Sequence, residues 1–293
     1  MRRWAMIARL GFSLLLLLSE SGCGWLSFRR REPQALRPQE MARLQQLSEQ
    51  AQSAIDHGDL QTAQLALQQL LVLDPQSADA TLRLGKVLQL QERFAEAEGC
   101  FKRALELGRD YPEALIGLGQ MEARRGDVDS ALRRLHSAIE LDPNQPEAHL
   151  EQGRILESLG RVDEAIAAYF RASELQPNHP EITLRIGAIQ LAQSQAEQAL
   201  VRLDQAVELA PENVEARLLR GRANLQLQRM ADAIDDLRFA TSHLPDRPET
   251  HYYLALALEA DNKRSEALRS AEKALKLAPD YTGARDLTTR LRR

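Results

Sequence analysis

The sequence predicts an all-α protein built as a linear array of helical repeats, an α-solenoid. Composition is the first sign. Leu and Ala far outnumber Val and Ile, and 293 residues include only 2 Trp, 5 Tyr and 6 Phe. Leu and Ala favour helices, whereas β-branched and aromatic residues favour strands. Periodicity is the second. Gly85, Gly119, Gly153, Gly187 and Gly221 recur every 34 residues, and Ala255 continues the series. Two alanine series keep the same interval: Ala63, Ala97, Ala131, Ala165, Ala199, Ala233, Ala267, and Ala104, Ala138, Ala172, Ala206, Ala240, Ala274. Prolines follow at 75, 143, 177, 211, 245 and 279. A period of this length denotes stacked supersecondary units, each burying its apolar face against its neighbours.

The same counts narrow function. Lys and Arg number 38 against 42 Asp and Glu, a formal charge of −4. That argues against a general nucleic-acid binder, which carries a basic excess. Two cysteines, Cys23 and Cys100, cannot build a disulfide framework or a four-thiolate zinc site.

The chain opens with a targeting segment, expected to span residues 1–22. Arg2, Arg3 and Arg9 form a basic start, and Leu10 to Leu18 is an apolar run. Nine helical residues reach only ~14 Å, far short of the ~30 Å hydrocarbon core, and the pattern reads as a secretory signal peptide. Ser21-Gly22-Cys23 resembles a bacterial lipoprotein signal, in which a cysteine behind small residues is acylated and becomes the mature terminus. Glu20 departs from that pattern, which has Leu there. The resemblance implies Cys23 as a lipid attachment site and a membrane-anchored protein of the bacterial cell envelope facing the periplasm. Two other readings stay open: cleavage after Ser21, and retention as an uncleaved anchor, which Arg29-Arg30-Arg31 would favour through the positive-inside bias. Residues 23–43 form a tether and the start of the first helix. Pro38 and Glu40 suit a helical first turn, where proline forfeits no needed donor and an acid meets the positive dipole end.

Seven units follow across residues 44–281: 44–77, 78–111, 112–145, 146–179, 180–213, 214–247 and 248–281. Within a unit, numbered 1 to 34, the periodic glycine is position 8. A mid-helix Gly costs about 0.5–1 kcal/mol relative to Ala, so its recurrence implies a close approach between two helices. The alanines at position 20 are expected to face it, and those at position 27 to let the second helix nest on the next unit. Leu84, Leu118, Ile186 and Leu254 at position 7, with Phe101, Leu135, Tyr169, Leu203 and Leu237 at position 24, supply larger core residues. Prolines stop the second helix, and Pro112, Pro146, Pro180 and Pro248, each followed by Glu, open the next. Gly58, Gly126 and Gly160 mark the turn inside three units. Beyond Tyr281, residues 282–293 carry a stripe of Ala284, Leu287 and Leu291, which predicts a capping helix with one wet face.

These residues resemble the tetratricopeptide repeat (TPR) family. The resemblance implies helix–turn–helix units wound into a right-handed superhelix with a concave groove that binds peptides. Three features depart from the family pattern. Its frequent position-4 tryptophan is replaced by Leu47, Thr81, Leu115, His149, Thr183, Arg217 and His251, position 7 is Gln152 in the fourth unit and Arg220 in the sixth, and the second unit has Arg109 in place of its terminal proline.

No nucleotide, metalloprotease, hydrolase or calcium-loop motif occurs in the sequence, so neither an enzyme, a cofactor, a metal site nor a small-molecule substrate is expected. His149 and His251 lie three units apart and read as packing residues, and Cys100 reads as a small apolar residue. Acids at position 2 (Asp79, Glu113, Glu147, Glu181, Glu215, Glu249) are explained by helix-start charge complementarity. The family resemblance puts positions 2, 5, 9, 12 and 13 of the first helix on the groove. Position 5 holds Leu82, Ile116, Leu150, Leu184, Leu218 and Tyr252. Position 9 holds Lys86, Gln120, Arg154 and Arg222 among others, and Arg124 is at position 13. An apolar strip beside spaced cations suits a segment of acidic and apolar character; a solvated surface is the alternative. The Lys and Asn of carboxylate-clamping TPR proteins are missing at positions 5 and 9. The expectation is a non-catalytic scaffold binding a protein or peptide, similar in plan to envelope TPR lipoproteins, with no nucleic acid as partner. The alternatives are a membrane-anchored adaptor facing the cytoplasm and a regulatory subunit of an enzyme complex.

Overall fold

The computed structural model describes residues 37–108 and 110–293. The leader, most of the tether and Cys23 lie outside the described residues, as does Arg109. The chain divides into two units, Met1–Met41 and Ala42–Arg293. Within the first, the Arg37 backbone N–H donates to Glu40 at 2.9 Å at the start of the first helix. The second holds the repeat array.

Among the described residues there are fifteen helices and no strand. They alternate as A and B helices: α1 (Pro38–Asp56) with α2 (Leu60–Leu73), α3 (Ala78–Leu90) with α4 (Phe94–Leu107), α5 (Pro112–Arg124) with α6 (Val128–Leu141), and α7 (Pro146–Ser158) with α8 (Val162–Leu175). Next come α9 (Pro180–Ala192) with α10 (Ala196–Leu209), α11 (Val214–Gln226) with α12 (Met230–His243), and α13 (Pro248–Ala260) with α14 (Arg264–Leu277); α15 (Thr282–Arg292) follows. The array is the α-solenoid that the 34-residue period predicts.

Local chemistry sets the helix ends. Proline occupies the first turn of α5, α7, α9 and α13, where its missing N–H is no loss. Side-chain caps begin four others: Asp59 accepts from the Thr62 N–H at 3.1 Å, Ser77 from Ala80 at 3.2 Å, Asp127 from Ser130 at 3.2 Å and Asn213 from Ala216 at 3.0 Å. Each A helix ends in a turn whose position-15 residue is left-handed. Gly58, Gly126 and Gly160 serve in three units, as the sequence indicates, but Glu92, Ser194, Gln228 and Asn262 hold the same conformation at φ between 58° and 61°. In every unit the following N–H donates back five residues, as Arg93 to Leu88 at 2.9 Å and Lys263 to Leu258 at 2.8 Å. This bond satisfies a carbonyl at the helix end.

The close approach inferred from the glycines is present. A Cβ on Gly85 would lie 2.8 Å from the Phe101 ring, on Gly153 2.6 Å from Tyr169, on Gly187 2.8 Å from Leu203, and on Gly221 2.8 Å from Leu237. In the seventh unit both partners change together: position 8 grows to Ala255 where position 24 shrinks to Ala271, and both are fully buried. The alanines at positions 20 and 27 are at most 1 % exposed throughout.

The missing tryptophans have local replacements. At position 4, a ring nitrogen of His149 lies 3.1 Å from the Pro143 carbonyl and one of His251 lies 2.8 Å from that of Pro245. Arg217 Nε donates to the Pro211 carbonyl at 2.9 Å. These residues tie each A helix to the proline that ends the unit before it. Arg285 repeats the bond to Pro279 at 2.6 Å, so α15 docks as an eighth A helix. Its Ala284, Leu287 and Leu291 are buried, while Arg285, Arg290 and Arg292 face water.

Arg220, the other departure, finds a partner on its own unit's B helix. Its guanidinium grips Asp236 with two bonds of 2.7 and 2.8 Å and reaches Asp204 of α10 at 3.2 Å. The Asp236 side chain is only 3 % exposed. The Asp236 bonds, outweighing partial burial, hold the Arg220 pKa above its ordinary value.

Candidate functional site

The A helices α3, α5, α7 and α9 present one continuous polar face, because side chains bridge from each helix to the next. Gln89 Nε2 of α3 donates to Gln120 Oε1 of α5 at 2.5 Å, and Gln120 Nε2 donates to Glu151 Oε1 of α7 at 2.8 Å. Arg154, one turn along α7, donates to Glu151 at 2.5 Å and through Nε to Glu181 Oε1 of α9 at 2.9 Å, with its other nitrogen on the second Glu181 oxygen. Burial opposes the charge on Arg154, but Glu181 and Glu151 outweigh it and raise its pKa. Beside this ladder lies an open cleft of about 370 Å³, floored by Met121 and Ile155 and rimmed by Phe94 and Arg124. The Arg124 guanidinium sits 4.0 Å above the centre of the Phe94 ring.

A second feature of the face lies toward the C-terminus. Arg222 of α11 stacks 4.6 Å over the Tyr253 ring of α13. Tyr252 packs at 5.3 Å from Tyr253 and at 4.9 Å from Tyr281, the residue before α15. Tyr252 also lies against Gly283, where a Cβ would approach its ring to 3.1 Å. Burial raises the pKa of Tyr252, and raises that of Tyr281 to about 12.

The position-5 residues serve the core more than the face. Leu82, Ile116, Leu150 and Leu218 are 1–7 % exposed; only Leu184 and Tyr252 are half-buried. The cause is packing: neighbouring A helices close over these side chains, which narrows the expected apolar strip. The spaced cations also differ from one another. Arg154 is neutralised, Arg124 and Arg222 stack on rings, and Lys86 is exposed. Glu151, Gln89, Phe94, Tyr253 and Tyr281 join the face without a signal from the family positions quoted for the groove, except that Gln89 occupies position 12. Glu181 stands where helix-start complementarity puts an acid, and serves as a clamp as well.

Two candidates of other kinds have structural roles. Cys100 is half-buried and its thiol pKa is pushed up by burial, the reverse of a reactive thiolate. Tyr169 is fully buried and donates to Glu157 at 2.7 Å; burial and that carboxylate raise its pKa. Among the described residues no group of His, Cys, Asp and Glu could hold a metal ion, and no helix is long and apolar enough to cross a membrane.

The fold defines a helical repeat protein. Models described as tetratricopeptide repeat match residues 48–112, 88–132, 117–180, 184–238 and 248–281. The chain belongs to the TPR family, whose members act as protein-interaction scaffolds. No curated protein matches the sequence. Among solved structures, PilF of Pseudomonas aeruginosa is similar at TM-score 0.63 and 18 % identity, over 71 % of this chain and 94 % of that one. YrrB, a TPR protein with an unusual peptide-binding site, aligns at TM-score 0.59 and 21 % identity, over 64 % and 97 %. MamA of Desulfovibrio magneticus RS-1 aligns at TM-score 0.52 and 25 % identity, over 58 % and 96 %.

Proposed function

We propose that this chain is a non-catalytic scaffold that binds an extended protein segment along the face formed by α3, α5, α7, α9, α11 and α13. The observation that carries the reading is the ladder from Gln89 to Glu181 beside an open cleft. Amide and carboxylate side chains in register across successive helices can exchange their mutual bonds for those of a peptide backbone, and Arg124 on Phe94 offers a planar donor at the rim. The peptide-binding use known for YrrB supports the same kind of ligand here. A photo-crosslinking amino acid at Arg124, compared with one at exposed Arg103 on the opposite helix layer, tests it in cells. Partner adducts from position 124 alone are expected; equal adducts from both, or none from either, end the reading.

The scaffold is carried at a bacterial membrane by acylation of Cys23, in the periplasm-facing envelope. The basic start, short apolar run and Ser21-Gly22-Cys23 support this, because several acyl chains on one residue make a durable anchor where a single chain is marginal. Labelled fatty acid should enter the wild type and leave Cys23→Ala unlabelled. Equal labelling, or none in either, removes the lipid.

A further inference from the structure

The two position-9 arginines of the face are in opposite states. Arg154 is consumed by Glu151 and Glu181. Arg222 has no carboxylate within ion-pair distance among the described residues and instead lies half-buried on Tyr253. Around it stand Tyr252 and Tyr281, rings tilted by 51° to one another. None of the hydroxyls of Tyr252, Tyr253 and Tyr281 has a protein partner among the described residues, although all three residues are half-buried. A charged fork and three phenol donors are thus held together at the end of the face, without protein hydrogen-bond partners among the described residues.

We propose that this corner is the anchor point for an extended segment in which an acidic residue adjoins proline. The carboxylate would take both free edges of the Arg222 fork, and the proline ring would pack in the angle between Tyr252 and Tyr281. A polyproline-type segment has no internal hydrogen bonds, so its carbonyls are free to accept from the phenols. Phenols are protonated at neutral pH, so Tyr252 and Tyr281 stand as donors, and burial raises both pKa values further. The proposal rests on the peptide-binding reading of the face and fixes the chemistry at one end of it.

Selection of random dodecapeptides displayed on phage, with the detergent-solubilised full chain as bait, tests both layers separately. Enrichment of acidic–proline sequences is expected, with affinity falling tenfold or more in Arg222→Gln and staying within about twofold in Arg103→Gln, an exposed cation on the opposite helix layer. Arg222→Lys, which keeps the charge but loses the fork, should fall between wild type and Arg222→Gln and guards against a folding defect in the latter. Tyr281→Phe should weaken binding several-fold without altering the melting temperature at neutral pH. Enriched peptides that lack the acid–proline pair, or that bind Arg222→Gln as well as wild type, overturn the anchor and leave the peptide reading standing. If nothing is enriched, both fall.

Discussion

The second and sixth units build the same A–B contact from different materials. In the second, Leu84 is 8 % exposed within an apolar cluster with Phe101. In the sixth, the equivalent position is Arg220, locked onto Asp236. Each of the two units keeps its glycine against a large residue at position 24. The contrast separates shape from chemistry: position 8 with position 24 fixes how close the helices come, and position 7 is free to be oil or ion pair provided its charge is answered. An unanswered charge at such a site is far more expensive than an absent one.

The largest expected effect breaks that pair. Asp236→Ala leaves Arg220 with only Asp204 and should destabilise the array by about 3–5 kcal/mol in urea unfolding, whereas Arg220→Leu with Asp236→Ala should come back to within ~1 kcal/mol of wild type or above it. A double mutant as unstable as Asp236→Ala would mean that the sixth unit needs the charges themselves.

The second test asks whether glycine sets the spacing. Gly153→Ala, whose methyl would meet Tyr169, should cost about 1–3 kcal/mol by overpacking. Gly99→Ala, in α4 with nothing within 4 Å, should instead stabilise by about 0.5–1 kcal/mol. Equal effects from the two would detach spacing from the glycine series.

A smaller effect lies in the turns. Glu92→Gly and Gln228→Gly should each gain about 0.5–1 kcal/mol, because a side chain at φ near 60° is strained. Asn262→Gly should gain less, since Asn tolerates this region. Melting curves of the three variants decide whether these turns are strained.

The smallest effect is alkaline. The Tyr281 pKa, raised to about 12 by burial, exceeds the ordinary value near 10. Between those pH values the unfolded chain releases a proton that the folded chain keeps, so stability is full below about pH 10 and declines toward pH 12. Tyr281→Phe should flatten that decline in pH-dependent urea unfolding.

Much of this was legible because repetition multiplies weak signals. One buried alanine says little, but seven at one interval gave the helix pairing, and the stripe of Ala284, Leu287 and Leu291 gave the cap. What stayed hidden has no period. Arg220 and Asp236 are 16 residues apart on different helices, so neither suggests the other. Glu92 and Gln228 leave no mark of a left-handed backbone, where Gly58 does. On the face, position numbers located Gln120, Arg154 and Arg222 on A helices but said nothing of what each one meets. Arg154 is neutralised by Glu151, to which the one-dimensional pattern gives no role, and by Glu181, which it assigns to a helix start. Arg222 meets a ring instead. Leu82 and Leu218 erred the other way: a position that lines a groove in the family is packed shut here.

One contact in the array crosses between units with unusual closeness. Phe101 fills the space left by Gly85 in its own unit and also that left by Gly117 in the next, where a Cβ would come within 2.5 Å of its ring. The other large residues at position 24 answer to the glycine of their own unit. Duplication or loss of single units is the natural way for such a chain to lengthen or shorten, and most junctions here would accept it. The junction between the second and third units would not: a copy of the second unit placed before any neighbour without a position-6 glycine would meet a side chain where Phe101 needs room. These two units can be inherited only as a pair.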